Sequence, residues 1–184
     1  MGERRRVGRG GRMALMAALA LAVPLLSGCG FRPVYATAGN GKAGPAEQGL
    51  AEVSVGLMPE RTGQLLRQAL QARFDHGETG VARRYDLTIA YGMYADALAI
   101  EQATSAPTRL RLIGVATWRL TAQDPQRSTL ANGTARSADG LNLFDQQFFA
   151  MDLENEAVQR RVTEAVADQI TLQLAAYFNR TAGK

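Results

Sequence analysis

From Tyr85 to Met93, apolar side chains fall on every second residue: Tyr85, Leu87, Ile89, Tyr91 and Met93, with Asp86, Thr88 and Ala90 between them. A period of two is the repeat of a strand with one buried face; a helix would scatter the same side chains around its axis. Arg109 to Thr121 repeats the pattern. Leu110, Leu112, Ala116, Trp118 and Leu120 share one face, while Arg109, Arg111, Ile113, Val115, Thr117 and Arg119 share the other. Pro107 marks a turn between the two segments. The strand that holds Tyr85 to Met93 is expected over 84–101; near Ala95 its alternation slips and Leu98 and Ile100 take over, the mark of a bulge or a strand end. These two stretches commit the chain to a sheet.

The remaining elements follow from the same test. Val53, Val55 and Leu57 alternate with Ser54 and Gly56, which predicts a strand over 50–58. Pro59 then stands where a helix can begin, because its missing N–H costs nothing in a first turn. Leu65, Leu66, Ala69, Leu70 and Phe74 form a stripe at helical spacing, which predicts a helix over 60–74. A weaker strand is expected over 128–138, between the turn signals Asp124-Pro125 and Asp139-Gly140. Residues 141–151 are aromatic and fit no period. Asp152 reads as the N-cap of a last helix over 153–178, with Val158, Val162, Ala165, Val166, Gln169, Ile170, Gln173, Leu174 and Tyr177 recurring every three or four residues. The order β-α-β-β-β-α implies an α+β two-layer sandwich, with two helices on one face of a mostly antiparallel four-stranded sheet.

The N-terminus has a different character. Arg4, Arg5, Arg6, Arg9 and Arg12 precede an uncharged apolar run, Met13 to Leu26, which ends in Leu26-Ser27-Gly28-Cys29. Fourteen residues are too few for a bilayer core of ~30 Å, which needs ~20 as a helix, but they suit the core of an export signal. An aliphatic residue, two small ones and a cysteine form a lipobox. The expectation is a lipoprotein signal peptide over 1–28, cleavage between Gly28 and Cys29, and a lipid on the Cys29 thiol. The stretch Arg4-Arg5-Arg6-Val7-Gly8 lacks the usual flanks of a twin-arginine signal. Residues 29–49 read as a lipidated N-terminus and flexible tether, since 36–49 are small, polar and Gly-rich. Residues 50–184 read as one globular α+β domain.

Removal of the signal changes the electrostatics. The full chain of 184 residues carries 21 Lys+Arg against 17 Asp+Glu; five arginines and one glutamate lie in residues 1–28, so 156 residues remain with 16 of each sign. Nucleic-acid partners lose their support, because such binding needs excess cations to displace phosphate counterions. The single cysteine is the lipid site, so the fold holds no disulfide, and the lipid is the membrane anchor.

No constellation for catalysis emerges. The only histidine, His76 in Asp75-His76-Gly77, suits a helix C-terminus, and no second histidine or free cysteine can complete a triad or a nitrogen/sulfur zinc site. Asp152, Glu154 and Glu156 are more simply a cap and dipole partners than a catalytic pair. Gly39-x-Gly41-x-x-Gly44 matches the dinucleotide fingerprint but lacks the strand before and the helix after it. The expectation is no catalytic residue, no metal, and no cofactor beyond the covalent lipid on Cys29.

The run Ser27-Gly28-Cys29-Gly30-Phe31-Arg32-Pro33-Val34-Tyr35 resembles the opening of the LPS-assembly lipoproteins, the LptE family. Arg61-Thr62-Gly63-Gln64-Leu65-Leu66-Arg67-Gln68-Ala69-Leu70 is similar to the family's first helix in its alphaproteobacterial form. The chain departs from the family in its Gly-rich stretch at 39–49 and in Leu141-Asn142, where a Tyr-Asn pair is common. The resemblance implies a lipid-anchored protein on the periplasmic side of the outer membrane that is not an enzyme. It implies that the protein plugs and helps assemble the LptD β-barrel and assists insertion of lipopolysaccharide. A structural or peptidoglycan-associated envelope lipoprotein is the alternative. Given lipopolysaccharide as a partner, strand parity suggests a contact site. Arg109, Arg111 and Arg119 point the same way around Ile113, Val115 and Thr117, so the face reads as basic at both ends and apolar between.

Overall fold

The computed structural model describes residues 43–75, 81–100, 107–142 and 148–183. The elements run α1 (Pro45–Ala51), β1 (Val53–Val55), α2 (Arg61–Phe74), β2 (Tyr85–Ile100), β3 (Pro107–Ala122), β4 (Thr129–Asn142) and α3 (Phe148–Ala182). The sheet order is β1-β2-β3-β4. β1 runs parallel to β2, with Val53 opposite Tyr85 and Val55 opposite Leu87. The α2 crossover makes this possible, since parallel neighbours need a long connection. The other pairs are antiparallel, from Tyr85–Ala122 to Ile100–Pro107 and from Arg109–Asn142 to Thr121–Thr129. The expected slip in β2 is real: the register shifts at Ala97–Ala99 and again before Ile100.

The helices cover one face. Gly63, Leu66, Leu70 and Phe74 of α2 are buried, and α3 buries Val158, Val162, Val166, Ile170, Leu174 and Phe178 at steps of four. Against them lie Leu87, Ile89, Leu112, Ala116, Trp118 and Leu120. Two threonines sit buried in α3; Thr163 and Thr171 each donate to the carbonyl four residues earlier, at 2.8 and 2.7 Å, so neither hydroxyl is left unsatisfied. Tyr91 reaches Thr163 across the layer at 3.1 Å. Gly114 makes room for that contact, since a Cβ there would lie 2.8 Å from both the Tyr91 hydroxyl and Val162.

Several local expectations give way to tertiary context. Residues 45–49, which read as tether, form a helix with Leu50 and Ala51, and Ala46, Gly49 and Leu50 are buried. Gly49 is there for space: a Cβ would sit 2.3 Å from Cγ of Phe178. The first strand is correspondingly short, and Leu57, predicted on its apolar side, is 86% exposed. Pro107 opens β3 rather than making a turn, and first place in a strand suits its missing N–H. Asp139-Gly140 does not turn the chain. β4 continues through both, and the Asp139 carboxylate accepts from Gly140 N–H at 2.8 Å and Arg161 Nε at 2.7 Å. Asp152 lies inside α3, which begins at Phe148, so it is not the cap. In the unassigned stretch 141–151, β4 extends through Asn142 and α3 takes up at Phe148, while 143–147 lie outside the described residues. The element order is therefore α-β-α-β-β-β-α, still two layers.

Candidate functional surface on the sheet

Residues 1–42, which include the signal, the Gly28–Cys29 junction and Cys29, and also His76, lie outside the described residues. A helix does follow the Gly39–Gly44 pattern, contrary to expectation. Its first position is Pro45, which has no N–H to offer a phosphate, and it spans only seven residues. Among the described residues no group of three or more His, Cys, Asp or Glu side chains could hold a metal. Glu156 pairs instead with Arg61 at 2.6 Å and Arg160 at 3.9 Å, and Asp139 with Arg161 at 2.7 Å. That Arg161 hydrogen bond holds the Asp139 carboxyl below its ordinary value. Burial pushes the Tyr91 phenol upward. The first displacement comes from an ion pair and the second from burial.

The helix-free face of the sheet carries the unspent chemistry. Arg109, Arg111 and Arg119 are exposed on it, as parity predicted. The register fixes their neighbours. Arg111 lies between Asp96 and Gly140 and reaches the Asp96 carboxylate at 3.5 Å. Arg109 lies over Gly140, its guanidinium 3.4 Å from where a Cβ would be. These two arginines form one unit, ~7 Å apart along the strand. Arg119 does not join them. Eight residues beyond Arg111, at ~3.4 Å each, place it ~27 Å away. It borders a shallow recess of about 620 Å³ with Thr88, Thr117, Thr121, Asn132 and Thr134.

Two corrections follow. The apolar middle of the face is largely closed, because Ile113 is 0% exposed and Val115 is half-buried. A further cation was missed: Arg136 of β4 lies opposite Val115, with its side chain exposed. The Thr- and Ala-rich composition of β4 hid it, although extending the β3–β4 hairpin register would have placed it on this face.

The described residues form a two-layer α+β domain whose helix-free sheet face carries arginines and hydroxyl groups. The comparison of sequences assigns the family: residues 50–174 match the lipopolysaccharide-assembly family LptE, and the chain belongs to that family. Among solved structures, a protein of Caulobacter crescentus CB15 has the same fold at 24% identity, covering 77% of this chain and 100% of its own, with a TM-score of 0.60. Rare lipoprotein B from Shewanella oneidensis is 14% identical, covering 72% of this chain and 97% of its own, with a TM-score of 0.51. No protein of curated function matches the chain in sequence. Family membership makes this an envelope lipoprotein of lipopolysaccharide assembly, a role without enzymatic chemistry.

Proposed function

We propose that this protein is anchored in the outer membrane by a lipid on Cys29, faces the periplasm, plugs the LptD β-barrel and helps it assemble. From there it assists the insertion of lipopolysaccharide. The family match over 50–174 carries the reading, and the lipobox ending at Cys29 supports the anchor. A plug inside a barrel needs a rigid core and a polar exterior. The sheet supplies both, with buried side chains beneath and a face of arginine, threonine and asparagine above.

The register refines the lipopolysaccharide site. Arg109 and Arg111 act together on phosphate, because guanidinium groups bind phosphate bidentately and ~7 Å lets two of them share one charged headgroup. Arg119 contributes separately, from the hydroxyl-rich end. Arg111 would have to exchange its exposed Asp96 partner, a pair of about 0–1 kcal/mol at most.

Purification from detergent-solubilised outer membranes tests the plug directly. A one-to-one complex with a large barrel is expected, and repeated recovery without a barrel would remove the reading. Mass measurement of the isolated N-terminus tests the anchor, and a Cys29→Ser protein that still fractionates with membranes would argue against it.

A further inference from the structure

On two of the three edge segments of the sheet, side chains occupy outward main-chain groups. On β1, Arg83 donates to the carbonyls of Ala51 at 2.6 Å and Val53 at 3.1 Å, and Arg67 to that of Val55 at 3.5 Å. On β4, the Gln169 carboxamide accepts from Arg136 N–H at 3.0 Å and donates to Arg136 O at 2.9 Å, standing in for a peptide group. Gln173 donates to Thr134 O at 3.1 Å, and its oxygen is fixed by Trp118 Nε1 at 2.8 Å. Such devices keep unpaired main chain from recruiting other strands.

The third segment is β2 beyond β1. Gly56 N–H donates to Leu87 O at 2.9 Å, and β1 contributes nothing further along. Leu87 O and Tyr85 N point to the β1 side. By alternation Ile89, Tyr91, Met93, Ala95 and Ala97 turn their N–H and C=O the same way. Among the described residues no backbone pairs with them. Beside this edge lies a groove of about 530 Å³, with Met58, Pro59 and Gly63 on one wall and Ile89 and Tyr91 on the other. Four of the six large apolar side chains exposed among the described residues flank it or continue along β2: Leu57, Tyr94, Leu98 and Ile100.

We propose that the open edge of β2, from Ile89 to Ala97, accepts an extended segment of the barrel partner as an added strand. The inference rests on the barrel reading above and names the surface where the partner docks. Main-chain donors and acceptors in a row are matched by another extended main chain, not by a phosphoglycolipid. Charge complementarity separates the two ligands. No residue lining the groove carries a formal charge, whereas the arginine face suits phosphate. The wall strands of a closed barrel are all paired, so the added strand comes from an extended segment outside the wall, and ~9 residues match Ile89 to Ala97 one for one.

The test uses the full chain in its own outer membrane, with the photo-cross-linker p-benzoylphenylalanine placed at Gly92, where an added Cβ meets nothing within 4 Å. A second position, Thr117, lies on the same sheet face one strand further from the edge. The expected result is a link from position 92 to an identified peptide of a large barrel. Ala95→Pro removes an N–H that β3 does not use and should cut that link about fivefold or more, the worth of about 1 kcal/mol for one hydrogen bond. Circular dichroism should show unchanged folding, and Ala95→Lys, which leaves the backbone intact, should act the same way. A link from 92 only to this chain's own residues 29–42, or only to a second copy, would overturn the proposal. So would a barrel link insensitive to both variants. A barrel link from 117 with none from 92 removes the β2 edge alone, and no barrel link from either position removes the barrel reading with it.

Discussion

Gly49→Ala separates a packed helix from a flexible tether. In a tether the change is silent or slightly favourable, and in an isolated helix alanine is better than glycine by about 1 kcal/mol. In this structure the new methyl would lie 2.3, 2.5 and 2.7 Å from three ring atoms of Phe178. The ring cannot swing aside freely. Its centroid is 5.3 Å from those of both Tyr85 and Tyr177, and Phe178 is buried. Overpacking of this kind costs about 1–3 kcal/mol, enough to outweigh the helix propensity. With the ring held in place the upper half of that range applies, which leaves a net loss of about 1–2 kcal/mol after the helix propensity; at about 2–4 °C per kcal/mol for a domain of this size, a fall of roughly 2–8 °C is expected. Thermal unfolding of the unlipidated protein followed by circular dichroism measures it. In a Phe178→Leu background the same substitution should cost less, with a coupling of at least ~0.5 kcal/mol. An unchanged or raised Tm for Gly49→Ala would refute the assignment of α1 to the core.

Leu70→Ala should destabilise by about 2–5 kcal/mol in urea titration, because the side chain is fully buried in the main core. Glu60→Gly should raise Tm. Glu60 sits at φ 66°, ψ 160°, a conformation close to glycine-only that costs about 1–3 kcal/mol. Asp139 has its folded-state pKa depressed by Arg161. Its contribution is therefore present above the unfolded value of 3.8 and is lost as pH falls below it through the folded value. Asp139→Asn should flatten that acid limb in a pH series of melts. Arg109→Ala with Arg111→Ala should weaken lipopolysaccharide binding and its salt dependence while Arg119→Ala alone does less, checked by binding at two ionic strengths.

The periodic elements were legible because their side chains alone decide them. The stripe ending at Phe74 and the alternations around Leu87 and Trp118 specify α2, β2 and β3 to within a residue or two at most ends. The errors share one cause, which is local chemistry overruled by a distant residue. Gly44-Pro45-Ala46 has linker composition, yet Phe178, far along the chain, orders the helix that follows. Asp139-Gly140 has turn composition, yet Arg161 on α3 and the ladder to β3 hold it extended. For the sheet face, parity correctly gave Arg109, Arg111 and Arg119 one direction. It could not say that the first two lie ~7 Å apart while the third stands ~27 Å off, nor that Ile113 would be closed to solvent.

The state of the sheet edges lies furthest from the sequence, because it concerns main-chain groups that every residue carries. Gln169 and Gln173 fall within the recurring stripe of the last helix, and only the register of β4 shows them occupying peptide-like sites at Arg136 and Thr134. Arg83 looks like a loop cation until its bonds to Ala51 O and Val53 O are seen. If those caps are functional, removing one should create what β2 already has. Gln169→Ala frees two main-chain groups of Arg136, at a cost of about 1–3 kcal/mol for two hydrogen bonds, and exposes a second pairing edge. The variant should therefore self-associate at concentrations where the parent sediments as a single species. A Gln169→Ala protein that stays as monodisperse as the parent in analytical ultracentrifugation would mean that capping β4 does not guard against pairing, and the contrast with the open edge of β2 would lose its force.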